Sequence, residues 1–322
     1  LTFLATANAI RFVGAEVVFA DVDPQTGLMS SENLLDAIEN CSGKPRAVFP
    51  VHLNGQCVEM EKLTAVARDH EMYIVEDACH ALGTKYLSSK GGESRVGSCT
   101  YSDLTVFSFH PVKTIAMGEG GALTTNRDEL ALRLRQLRNH GMSRNPENFI
   151  NKSLGFSPDG TPNPWYYEMQ ELGHNYRASD IHCALGLSQL NKLEGYISRR
   201  QSVSASYNQQ LTNKTVCLTP LTCVPWNDPA WHLYVVHIEF KNIPISRAQL
   251  MHTLRNAGIG TQVHYLPVHL QPYYHQRYGA KQLPGAEAYY QNCLSLPLYP
   301  TMKQEDVKRV TEILLTTLET TT

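Results

Sequence analysis

The sequence predicts an α/β fold, in which a large domain with a mostly parallel sheet is followed by a smaller α+β domain. Three observations carry this reading. Over the first two hundred residues, short β-rich runs alternate with helical patterns, as in βα units. The apolar run at 73–75 ends in the acidic pair Glu76-Asp77, and open α/β sheets deliver their polar groups at the carboxyl ends of buried strands. A long helical run over 179–208 suits a link between domains, placed at 1–196 and 197–322. A chain of 322 residues is long enough for about two domains.

The elements follow in order. The opening Leu1-Thr2-Phe3-Leu4-Ala5 reads as the edge of an interrupted strand. Residues 16–22 (EVVFADV) read as a strand, and Ser30-Ser31-Glu32 offers a helix start ahead of Leu34, Leu35 and Ile38. Residues 47–53 repeat the strand pattern and 59–70 the helical one. Strands are expected at 104–109 and 121–125, then a charged helix at 127–139. Between 143 and 170 Asn, Pro and Gly dominate, and so long a loop is expected to be functional or mobile. In the long run after it, Ile181, Leu185, Leu187, Leu190, Leu193 and Ile197 supply an apolar face. A strand at 231–240, a helix at 247–257, a strand at 261–265 and a helix at 305–318 complete the smaller domain.

Composition removes several classes of function. The 28 Lys and Arg nearly balance the 30 Asp and Glu, for a formal charge of −2, so no basic footprint for nucleic acid or a membrane surface exists. No apolar run approaches the roughly 20 residues that span a bilayer, and no signal segment opens the chain. The expected compartment is the cytoplasm. The eight cysteines lie scattered, without a CxxC pair or clustering with histidine, which predicts reduced, mostly buried thiols and no metal site.

The densest chemistry lies in 107–114 (FSFHPVKT) and 117–122 (MGEGGA). A lysine just beyond an apolar strand is partly desolvated, which lowers its pKa and suits Lys113 to a Schiff base. The same position also suits a solvated surface lysine. The glycine cluster is not a dinucleotide fingerprint, because Ala122-Leu-Thr-Thr after it reads as a strand and not a helix; a tight turn between strands fits better. Asp77 and His80 are either a turn carboxylate and a satisfied core histidine, or a carboxylate facing a protonated ring nitrogen with an imidazole on the same ring. A hydrolase triad of Ser108, His110 and Asp77 is a further arrangement, although Ser108 lacks the Gly-x-Ser-x-Gly elbow.

Three strings in order, 75–83 (VEDACHALG), 107–113 (FSFHPVK) and 118–126 (GEGGALTTN), resemble the DegT/StrS-type sugar aminotransferases. These are pyridoxal-phosphate (PLP) enzymes of the aspartate-aminotransferase fold, PLP fold type I, and the resemblance covers nearly the whole chain. With 172–177 (LGHNYR), 184–190 (ALGLSQL) and 258–267 (GIGTQVHYLP), the chain is most similar to the branch that aminates UDP-linked 4-keto-6-deoxy-AltNAc in pseudaminic acid biosynthesis.

The resemblance implies that Lys113 holds the cofactor and shuttles protons, and that Asp77 keeps the pyridinium nitrogen protonated. It implies that Phe3 stacks on the cofactor, that His80 lies near its phenolic oxygen and that Ser108 binds its phosphate. Asn175 would reach that phosphate from a neighbouring subunit, which requires a homodimer with shared active sites. His264 and Tyr265 would approach the sugar nucleotide. Glutamate is the implied amino donor. A GDP- or dTDP-keto-sugar aminotransferase and a non-catalytic regulatory member are the alternatives, and Lys113 separates the chain from family dehydratases that carry histidine there. Family members begin with a segment whose backbone amides cradle the phosphate; nothing here matches it, so an N-terminal truncation is expected.

Overall fold

The computed structural model describes residues 1–319, and it opens on a helix where a strand edge is expected. Helix α1 (Leu4–Phe12) forms because Leu4, Ala7 and Ile10 recur at helical spacing and pack against Val17, Phe19, Val268 and Tyr274. Residues 16–22 have strand-like sequence but form no ladder. Among the described residues no strand lies beside them, and the Val17 amide donates to the Tyr278 hydroxyl at 2.9 Å. Helix α2 (Ser31–Glu39) starts where the sequence places it, with Ser30 and Asn33 capping each other reciprocally.

The central sheet comes next. Strand β1 (Ala47–Val48), helix α3 (Met60–Asp69) and strand β2 (Tyr73–Asp77) form a parallel unit, and the hairpin β3 (Lys85–Leu87) and β4 (Glu93–Arg95) follows. Strands β5 (Leu104–Ser108) and β6 (Gly121–Thr124) complete the order β1-β2-β5-β6, and helix α4 (Asp128–Leu137) follows. Strand β5 runs parallel to β2, pairing Asp77 with Val106, while β6 is antiparallel and pairs Gly121 with Ser108. The glycine cluster is thus the turn between β5 and β6. The strand expected over 47–53 stops early because the chain turns at Asn54-Gly55, although Val51 still bridges Asp77.

Residues 143–170 are an ordered flap, not a structureless loop. Strands β7 (Met142–Ser143) and β8 (Glu168–Met169) close it around the short helix α5 (Lys152–Gly155). Phe149 is buried against the rings of Phe156 and Tyr166, and the Glu168 carboxylate accepts from the amides of Ile150 and Asn151 at 2.7 and 2.6 Å. The expected long helix is broken at Asn191-Lys192 into α6 (Asp180–Leu190) and α7 (Leu193–Leu211). Leu193 and Ile197 are buried, but α6 buries nothing, and Ile181 and Leu187 are 81% and 61% exposed.

Strand β9 (Leu218–Pro220), β10 (Asn227–Asp228), β11 (Tyr234–Ile238), helices α8 (Arg247–Asn256), α9 (Pro272–Tyr278) and α10 (Pro284–Asn292), strand β12 (Cys293–Leu296) and helix α11 (Gln304–Glu319) end the chain. An antiparallel sheet of order β12-β11-β9 packs on α7, α8 and α11 through Tyr207, Leu250, Leu254 and Leu314. The strand expected at 261–265 contracts to one bridge, Gln262 to Ser295. A separate core beneath the parallel sheet holds Leu53, Leu63, Ile74 and Phe107, and takes Val235 and Tyr289 from the later half of the chain. Of the cysteines, Cys57, Cys99, Cys217 and Cys293 are buried, whereas Cys183 and Cys223 are exposed, against the expectation of mostly buried thiols. No helix among the described residues is long and apolar enough to cross a membrane.

The Asn54-Gly55 turn ties the two halves together. Asn54 adopts φ of 63°, and its carbonyl accepts from the amides of His232 and Leu233 at 2.9 and 3.3 Å. Gly55 sits at φ of 106° with no room for a side chain, since a Cβ there would lie 2.3 Å from the Ala230 carbonyl oxygen. Gly55→Ala is expected to destabilise the protein by about 2 kcal/mol or more. Gly43→Ala, in open space, is expected to change stability little. Denaturant midpoints of the two variants check this.

Candidate active site

The carboxyl ends of β2 and β5 bring most of the expected site residues together. Asp77 ends β2, and its Oδ2 accepts from the hydroxyls of Thr6 at 2.6 Å and Thr2 at 3.3 Å, while Oδ1 accepts from the Cys79 amide at 3.2 Å. Ser108 ends β5 in the neighbouring row of the sheet. Lys113 follows in the turn, with its amide donating to the His110 carbonyl at 2.9 Å. Among the described residues no hydrogen bond or ion pair engages its ammonium group. Burial lowers the Lys113 pKa from its usual range, and the opposing pull of Cys79 and Asp77 only partly restores it.

A cluster of rings faces this amine. His80 is buried, and its ring lies 4.5 Å from that of His232 and 5.9 Å from that of Tyr265. Its Nδ1 accepts from the Asn54 amide at 3.4 Å, and its Nε2 lies 3.0 Å from the Tyr265 hydroxyl. Phe3, 58% exposed at the start of α1, approaches Tyr265 at 6.0 Å between centroids. His264 Nδ1 lies 2.8 Å from the Ser295 hydroxyl, and its ring packs edge-on to Tyr265. Burial holds His80 and His232 well below the usual histidine range, and each also feels Lys113. Burial and Lys113 together hold His264 at about 4.

Behind Asp77, its neighbour Glu76 points the other way into the core. The fully buried carboxylate accepts from Thr105 at 2.9 Å, from Ser102 and Tyr86, and lies 2.6 Å from His52 Nε2. His52 Nδ1 accepts from the Val58 amide, so Nε2 carries the proton given to Glu76. Burial alone would raise the Glu76 pKa, but His52, Ser102 and Tyr86 outweigh it and hold it below the usual carboxylate range.

Two further arrangements lie apart from this cluster. The hydrolase triad is absent: the His110 ring is exposed, accepts from the Val112 amide and turns to Glu119 at 3.9 Å, while Asp77 is occupied by Thr6, Thr2 and Cys79. Asn175 is exposed, with Oδ1 accepting from Arg177 at 2.9 Å, and among the described residues nothing joins it to the cluster within one chain.

The DegT/DnrJ/EryC1/StrS aminotransferase family matches residues 1–315. The chain belongs to this family. It is 38% identical over 315 residues to the spore coat polysaccharide biosynthesis protein SpsC of Bacillus subtilis, covering 97% of this chain and 76% of that one. Helicobacter pylori PseC, an aminotransferase involved in the biosynthesis of pseudoaminic acid, superposes with a TM-score of 0.86 at 28% identity, covering 99% of this chain and 78% of that one. Spr1654 of Streptococcus pneumoniae, solved in a PLP form, gives 0.83 at 26% identity, covering 100% and 80%. The fold is PLP fold type I, and the family is one of PLP-dependent sugar aminotransferases.

In this DegT/StrS family member, sequence reasoning misses Thr2, Thr6, Asn54 and His232. The Asn54-Gly55 dipeptide is a legible turn signal, but nothing in it announces a bond to His80. His232 opens an apolar strand pattern and carries no local cue. Its Nδ1 is buried without a partner, and its carbonyl accepts from the buried Arg200 at 3.0 Å.

The depressed histidines fix a pH dependence. A histidine at about 4 when folded and about 6.5 when unfolded leaves the unfolded chain binding more protons between those values. Its contribution to stability is complete above pH 6.5 and is lost as pH falls toward 4. His264→Gln is expected to reduce the acid-limb slope of stability against pH by about one proton, measured by denaturant titrations at stepped pH.

Proposed function

We propose that the chain is a PLP-dependent aminotransferase of a nucleotide-linked 4-keto-6-deoxy sugar, with UDP-4-keto-6-deoxy-L-AltNAc as substrate and glutamate as amino donor. The observation that carries the catalytic part is Lys113, a desolvated and unpaired amine beside the Asp77 carboxylate. The likeness to PseC supports the sugar. GDP- or dTDP-linked keto sugars are the alternative substrates.

The residues present fit the cofactor. A desolvated amine, a carboxylate already held by hydroxyl donors, an exposed aromatic ring and a strand-end hydroxyl gather at the carboxyl ends of β2 and β5. When bound, pyridoxal phosphate supplies a ring that stabilises negative charge on the carbon bearing the amine. Lys113 would attach it, and the freed Nζ would take a proton from the substrate carbon and return it. Asp77 would hold the proton on the ring nitrogen, Phe3 would cover one ring face, and His80 would back the phenolic side. Ser108 would donate to the phosphate. His264 and Tyr265 would meet the sugar nucleotide, with residues 1–196 as the large PLP-binding domain and 197–322 as the small C-terminal domain.

A homodimer with shared sites belongs to this reading. The unburied apolar side chains of α6, with Trp165, Met169, Leu172 and Tyr176 exposed nearby in sequence, would suit a partner surface. Asn175 lies on this stretch, available to a second chain and to none of its own site residues.

Borohydride reduction of the PLP-loaded protein is expected to leave a pyridoxyl group on the peptide containing Lys113. An unmodified Lys113 peptide sinks the assignment. Lys113→Ala is expected to lower amination at least about a hundredfold. In an assay across UDP-, GDP- and dTDP-linked keto sugars, turnover of the UDP-linked L-altro ketone supports the substrate. Turnover of another sugar alone replaces it.

A further inference from the structure

We propose that Tyr265 donates a hydrogen bond from its hydroxyl to an electron-rich oxygen of the bound cofactor or sugar, and that His80 is the positioning residue that aims it. This rests on the aminotransferase reading, and it changes the part expected of His80. Both nitrogens of its ring are already engaged by the protein.

The direction of each bond follows from one fixed donor. The Asn54 backbone amide can only donate, so the His80 Nδ1 it meets at 3.4 Å is an acceptor and carries no proton. A neutral imidazole then carries its proton on Nε2, which donates to the Tyr265 oxygen at 3.0 Å. The reverse arrangement would set an N–H on Nδ1 against the N–H of Asn54. With its oxygen accepting from His80, Tyr265 must give its own proton elsewhere, and among the described residues no acceptor takes it. The half-buried Tyr265 ring packs with Phe3 and the rings of His80 and His264, on the side of Asp77 and Cys79. An oxygen of whatever occupies the opening completes the chain from Asn54 through His80 to Tyr265.

The surroundings keep the relay in this state. Burial, His232, Lys113 and His264 all disfavour a second proton on the His80 ring, and burial keeps the Tyr265 phenol protonated. Asn54 is itself anchored, through Nδ2 to the Tyr289 hydroxyl at 2.8 Å and through its carbonyl to His232 and Leu233.

Two measurements test this. Nitrogen-15 NMR of histidine-labelled, cofactor-free protein at neutral pH is expected to place the proton of His80 on Nε2, with assignment by a His80→Gln spectrum. A proton on Nδ1, or on both nitrogens, overturns the relay whatever the chain catalyses. In PLP-loaded protein, Tyr265→Phe is expected to have an effect of about tenfold or more. If the acceptor is a cofactor oxygen, the pH midpoint of the bound cofactor's visible absorbance moves. If it is a sugar oxygen, KM for the keto sugar rises with that spectrum unchanged. Tyr265→Phe altering neither overturns the donor role. His80→Gln, whose amide can accept from Asn54 and donate to Tyr265, is expected to recover most of what His80→Leu loses, whereas His80→Leu should match Tyr265→Phe and add nothing to it in the double variant. Equal damage from Gln and Leu overturns the positioning role. Borohydride labelling of Lys113 in the same samples reports separately on the aminotransferase reading.

Discussion

A carboxylate with no surface of its own must be met by donors from every side, and Glu76 sets that requirement at the end of β2. His52 comes from the turn after β1, Tyr86 from β3, Ser102 from the approach to β5 and Thr105 from β5 itself. Four segments are thereby fixed around one group, because leaving such a charge unpaired costs several kcal/mol. Strand alternation does the rest. If Glu76 points into the core, Asp77 must point out of it, into the opening where Thr6 and Lys113 wait.

The same opening is kept nearly free of extra charge. Three neutral histidines and a protonated phenol surround one desolvated amine, so Asp77 and Lys113 are the charged groups that matter there. The polar contacts around them are hydrogen bonds whose donors are hydroxyls and backbone amides, as at Asp77 and His80.

Much of this was legible in the residues. The βα alternation predicts β1, α3, β2 and β5 within a few positions, and sheet chemistry places Asp77 at a strand end and Lys113 in the turn beyond one. Phe3 caps α1 and is not the strand edge its neighbours suggest, because five residues hold too little periodicity to separate a helix from a strand, and the Leu4, Ala7, Ile10 spacing becomes visible only over α1. Residues 16–22 have a strand's composition without its pairing: composition describes a surface fit for pairing, and among the described residues no strand lies beside them. The bonds of Asn54 and His232 were out of reach because they join residues far apart in sequence, through backbone groups that every residue carries.

The flap between β7 and β8 carries its own means of support. Phe149 packs with rings from inside the same segment, and the Glu168 carboxylate answers amides from inside it too. A segment that satisfies itself in this way is decoupled from the sheet below. Apart from the Gln136 amide of α4, which donates to Gln170, the named supports lie within the segment, so its upkeep asks little of β2 or β5.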